Sequence, residues 1–137
     1  MSLFRRKKTQ PGTAVSPGAT ALAEGWNGFP WGAPLSAFKA RFPQAHLTES
    51  GWWQTGEAPE AFCGVPMSIS QYAFDAHERL GTVAFIPEPE NRPHLSVAVV
   101  NTLGVPAGMD LVWEFGDVVV AVKLAGVVAT LTHPRYA

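Results

Sequence analysis

From Asp110 to Thr132 the residues fit three antiparallel strands joined by tight turns at Gly116-Asp117 and Ala125-Gly126, with every inward position apolar. If both pairs are two-residue loops, Phe115 opposes Val118, Trp113 opposes Val120 and Leu111 opposes Val122. Across the second turn Leu124, Val122 and Val120 oppose Val127, Ala129 and Leu131, and all of these side chains fall on one face. The other face takes Asp110, Glu114, Lys123, Thr130 and Thr132, with Asp110 opposite Lys123. A slip of one residue would turn the whole apolar set outward, so the pairing is strongly specified. The stretch defines a scaffold and no chemistry.

The chain has 137 residues, 47% of them hydrophobic, a single-domain length that can bury roughly two thirds of its unfolded surface. Its one cysteine, Cys63, excludes an internal disulfide, and Met-Ser-Leu-Phe-Arg-Arg-Lys-Lys lacks the apolar run of a secretory signal, so the expected localisation is cytoplasmic. No transmembrane segment is expected, because Lys123, glycines and threonines break the run Val118 to Leu131. Charge is unevenly placed. Arg5, Arg6, Lys7 and Lys8 take four of the 10 basic residues, leaving 6 against all 11 carboxylates, a balance of -5 for the body. Such a body is a poor nucleic-acid binder, and attraction to polyanions is expected only through that tail. Position 2 is Ser, so the glycine that myristoylation needs is missing.

Residues 1–24 have the composition of a flexible leader, basic at first and then rich in Pro, Gly and Ala, and residues 25–137 form the expected single domain. Leu35, Phe38 and Phe42 share a helical stripe between Pro34 and Pro43. Val65 to Phe74 and Leu80 to Ile86 pair as a hairpin with a bulge near Ser70-Gln71, turning at Asp75 to Arg79. Pro87 to Pro93 is expected to be an extended, stiff connection. A second helix carries Leu95, Ala98, Val99, Thr102 and Leu103 and is capped by Gly104. The order α-β-β-α-β-β-β predicts an α+β fold: a single antiparallel sheet of about five strands, two helices on one face, and a C-terminal three-stranded meander.

Reaction signatures are sparse. Cys63 lies in an apolar setting, with His77 as its nearest histidine in sequence, and reads as structural. His46, His77, His94 and His133 have no metal-ligand spacing, and the pairs Glu57 with Glu60 and Glu88 with Glu90 sit in proline-containing loops. No Gly-x-Ser-x-Gly, Walker or dinucleotide pattern occurs, so no catalytic residue, metal or cofactor is expected. Large rings cluster instead: Trp26, Phe29, Trp31, Trp52, Trp53 and Phe62. In an extended segment Trp52 and Trp53 point to opposite sides, leaving one free to anchor a partner.

The expectation is a non-enzymatic cytoplasmic protein-interaction module that offers Trp26, Trp31, Trp52 and Trp53, or the terminal strand Val127 to Thr132 as a sheet edge, to a protein partner or to itself as a homodimer. The alternative is a small-molecule-binding protein or enzyme with a pocket between the sheet and the Trp26 to Trp53 segment, using Tyr72, His77 or Cys63. A third reading is salt-sensitive attachment to nucleic acid or membrane through Arg5, Arg6, Lys7 and Lys8.

Overall fold

The computed structural model describes residues 21–137. In chain order the strands are β1 (Gly25–Trp26), β2 (Phe29–Pro30), β3 (His46–Leu47), β4 (Trp53–Gln54), β5 (Met67–Phe74), β6 (Leu80–Pro87), β7 (Val112–Phe115), β8 (Val118–Lys123) and β9 (Val128–Thr132). Two helices interrupt them, α1 (Leu35–Arg41) and α2 (Arg92–Leu103). β1 and β2 form a separate ribbon, and the other seven strands make one antiparallel sheet in the order β3-β4-β5-β6-β9-β8-β7. This corrects the expected α+β fold with a single sheet of about five strands: the protein is mostly β, and the α-β-β-α-β-β-β order omits four strands. Each of those four is two residues long, too short to display the two-residue period by which strands are recognised.

The meander has the register Trp113↔Val120, Phe115↔Val118, Val120↔Leu131 and Val122↔Ala129. Its second turn is wider than the expected Ala125-Gly126 loop. Lys123 pairs with Val128, and Leu124 and Ala125 both take positive φ, which leaves Leu124 73% exposed instead of inward. Gly126 sets this geometry, because a Cβ there would lie 2.4 Å from the Arg92 carbonyl oxygen. β9 is not an edge: β6 and β8 flank it, so its backbone groups are engaged on both sides. The sheet ends at β3 and β7.

The β5–β6 hairpin carries two irregularities, neither at Ser70-Gln71. The pairs Met67↔Pro87 and Ile69↔Ile86 make Ser68 the extra residue, which brings Met67, Ser70 and Tyr72 to the inner face. The pairs Ala73↔Thr82 and Phe74↔Leu80 make Gly81 the second, where a Cβ would lie 2.0 Å from the Tyr136 carbonyl oxygen. The proline-rich connection is not wholly extended, for Pro89–Asn91 form a 3-10 turn and Pro93 lies in the first turn of α2. The fixed φ of proline suits a helical first turn, where no amide donor is required.

α1 buries Leu35 and Phe38, followed by Phe42 at its C-cap, and the Phe38 ring centroid lies 4.8 Å from Tyr72 and 5.4 Å from Phe74. α2 buries Leu95, Val99 and Leu103 and stops at Gly104, whose carbonyl accepts the Trp113 indole N–H at 2.7 Å. Both helices, the ribbon and Phe62 join one core with Val83, Phe85, Val120 and Leu131. They therefore cover one face of the sheet, here the inner face.

Candidate interaction surface

Each tryptophan is buried or half-buried. Trp31 donates its indole N–H to the Leu22 carbonyl at 2.9 Å. Trp26 meets Phe62 and Phe85 edge-on, with centroids 5.9 and 5.0 Å away. Trp53 pairs with Tyr72 across β4 and β5, its ring 6.5 Å from Phe38 and beneath the Lys39 ammonium. Trp52, half-buried, donates its backbone N–H to Thr48 Oγ1. No two of Trp26, Trp31, Trp52 and Trp53 are ring neighbours among the described residues. Among the described residues the exposed large apolar side chains are Leu47, Val97, Val105, Met109, Val112 and Leu124. Arg5, Arg6, Lys7 and Lys8 lie outside the described residues.

Polar side chains converge on Glu60. Its Oε1 accepts from the Trp26 indole at 3.0 Å and from the Tyr72 hydroxyl at 2.9 Å, while Ser70 Oγ lies 3.5 Å from Oε2. Asn27 Nδ2 donates to the Tyr72 oxygen at 3.1 Å. Tyr72 is fully buried, and burial, then the neighbouring Glu60 charge, hold its phenol well above the ordinary range. It stays a neutral donor. The cluster ties the loop before Phe62 to the ribbon and to β5.

Tyr72, Cys63 and His77 have separate surroundings. His77 is exposed in the β5–β6 turn, where its N–H rests on Asp75 Oδ1. Cys63 is half-buried, with φ 52°; burial pushes its thiol from 9.0 to about 11 against the opposing pull of its hydrogen bond with Thr102. A rise of two units leaves about one hundredth of the usual thiolate at neutral pH. Iodoacetamide is therefore expected to alkylate Cys63 about a hundredfold more slowly than free cysteine at neutral pH, with the rate still climbing beyond pH 9. A plateau below pH 9 would show an activated thiol. Among the described residues no group of three His, Cys, Asp or Glu is placed to hold a metal.

The least expected surface is the outer face of the sheet. One row across it reads Ala73, Thr82, Thr132, Val119 and Glu114. The next reads Gln71, Ala84, Thr130, Ala121 and Val112. Ile69 beside Ile86 and Val128 beside Lys123 form the third. Only Glu114 and Lys123 carry charge. None of these residues belongs to the packed apolar cluster beneath the helices, although Ala84 and Ala121 are buried, at 5% and 7% exposure. The helices, the ribbon and Phe62 all pack on the inner face, leaving no layer of described residues over the outer one. At Val112 the face continues into a groove of about 630 Å³ between the end of α2 and β7, lined also by Val105 and Met109.

The sequence carried a signal for this face. Thr130, Thr132, Glu114 and Lys123 alone suggest an ordinary wet face, but the run Val118-Val119-Val120-Ala121-Val122 has no alternation. Neither does Val83-Ala84-Phe85-Ile86. A strand with one face in water alternates, whereas one covered on both faces is apolar throughout.

Comparison with known protein families, with curated proteins and with solved structures finds no match to this chain. No helix among the described residues is long and apolar enough to cross a membrane.

Proposed function

We propose that this chain is a non-enzymatic cytoplasmic protein-interaction module whose partner seats on the outer face of the sheet. The observation that carries this reading is that the outward residues of β6 and β8 are Thr82, Ala84, Ile86, Val119 and Ala121, with a charge only at Lys123 where β8 ends, while the helices cover only the inner face. Trp26, Trp31, Trp53 and Trp113 are drawn into hydrogen bonds and ring contacts that support the inner layer. A single thiol, with no second cysteine to share a disulfide, supports the cytoplasmic assignment.

A photo-crosslinking residue at Thr130, in the middle of the face, is expected to form specific protein adducts in cells. The same residue at Glu78, in the exposed β5–β6 turn, serves as the control and is expected to form none. Absent adducts at position 130, or equal adducts at both positions, would remove the basis of this reading.

A further inference from the structure

We infer that the occupant of the outer face is a second copy of the chain, packed sheet on sheet across a two-fold axis, an inference that rests on the interaction face proposed above. Shape comes first. Ala84 and Ala121 hold the middle row, so the centre offers neither a deep groove nor a projecting knob, and its best complement is another pleated surface at the roughly 10 Å spacing of packed sheets.

Charge narrows the choice of partner. An uncharged centre would give a strongly charged partner nothing to pair with, while the two charged residues have opposite sign. Glu114 lies in the row of Val119, and Lys123 lies at the other end of β8, opposite Val128. A two-fold axis running across the strands through the middle row exchanges the two ends of the face. Glu114 of one copy is then offset sideways by about one strand spacing, roughly 4.8 Å, from Lys123 in the other, across the gap of roughly 10 Å that their long side chains bridge, and the contact occurs twice.

Size sets the strength. Five strands and three rows span about 500 Å² per copy from strand and residue spacings, against about 800 Å² per partner in a standard interface. The dimer is expected to form in the micromolar range and to dissociate on dilution.

Sedimentation velocity of the full chain from about 1 to 200 µM tests this. The wild-type protein is expected to pass from monomer to dimer across that range. Thr130→Lys buries an unpaired charge in both copies and is expected to raise Kd by more than tenfold. Glu114→Lys and Lys123→Glu alone are each expected to weaken association severalfold, and together to restore it; both positions are exposed, so folding is retained. A chain that stays monomeric to the highest concentration, or a dimer indifferent to Thr130→Lys, overturns the inference. If the monomeric chain still yields adducts with a different protein through the crosslinker at position 130, the second copy is wrong and the interaction face stands. If it yields none, both fall.

Discussion

Phe85→Ala is expected to lower the unfolding free energy by about 3–5 kcal/mol, the largest loss from any single truncation considered for this fold. The Phe85 ring is fully buried, stacked on Phe62 with centroids 4.8 Å apart and planes 7° apart, and meets Trp26 edge-on at 5.0 Å. Its partners come from the ribbon and from the loop before β5, so this one ring joins two irregular segments to β6. Truncation leaves a cavity bounded by a ladder that cannot collapse, because β6 is held on both sides by β5 and β9. A domain of this size is stable by about 5–15 kcal/mol, so the variant approaches the edge of folding. Urea unfolding followed by tryptophan fluorescence measures the loss, and Phe85→Leu is expected to cost less than half as much. A loss below about 1 kcal/mol for the alanine variant would show that the three rings do not form a packed unit.

The elements legible in the sequence are those with enough residues to establish a period. β7, β8 and β9 take the register that their inward residues dictate, and the stripe of Leu95, Val99 and Leu103 marks α2. What was not legible lies where length or context decides. Asn27-Gly28 is a strong hairpin signature, and both residues take positive φ in the β1–β2 turn. Its flanks are Gly25-Trp26 and Phe29-Pro30, too short for alternation, and the ribbon is held from outside: Arg41 donates to the Asn27 carbonyl and lies over the Phe29 ring. The central position of β9 follows from its pairing with β6, which no feature inside Val128–Thr132 encodes. The Glu60 cluster is equally non-local, uniting Trp26, Asn27, Ser70 and Tyr72.

The outer face shows the opposite relation. Its residues are adjacent in sequence, and their apolar run is visible without coordinates, yet its meaning appears only once the layers are known. An apolar β8 is unremarkable between two layers. With one layer present, Val119, Ala121, Ile86 and Val128 need a second, and the chain's own described residues do not supply it.

Glu60→Ala is expected to cost about 2–4 kcal/mol, because it leaves the buried Tyr72 hydroxyl without an acceptor and removes the one the Trp26 indole uses. The Tyr72 hydroxyl is inaccessible to water, and its other neighbour, Asn27 Nδ2, is itself a donor. The Trp26 indole is half-buried, so water replaces part of what it loses. Glu60→Gln separates two roles that the alanine variant merges. The amide oxygen can accept from both Trp26 and Tyr72, and the amide nitrogen can turn to Ser70, so the expected cost is below about 1 kcal/mol if acceptor geometry is what the cluster requires. Tyr72→Phe removes the matching donor, and combining it with Glu60→Ala is expected to give a coupling of about 1–2 kcal/mol in a double-mutant cycle. If the glutamine variant instead loses as much as the alanine variant, the negative charge itself is needed at this position. The carboxylate would then demand a chemical explanation, and the view of Glu60 as a clasp between ribbon, loop and sheet would be abandoned.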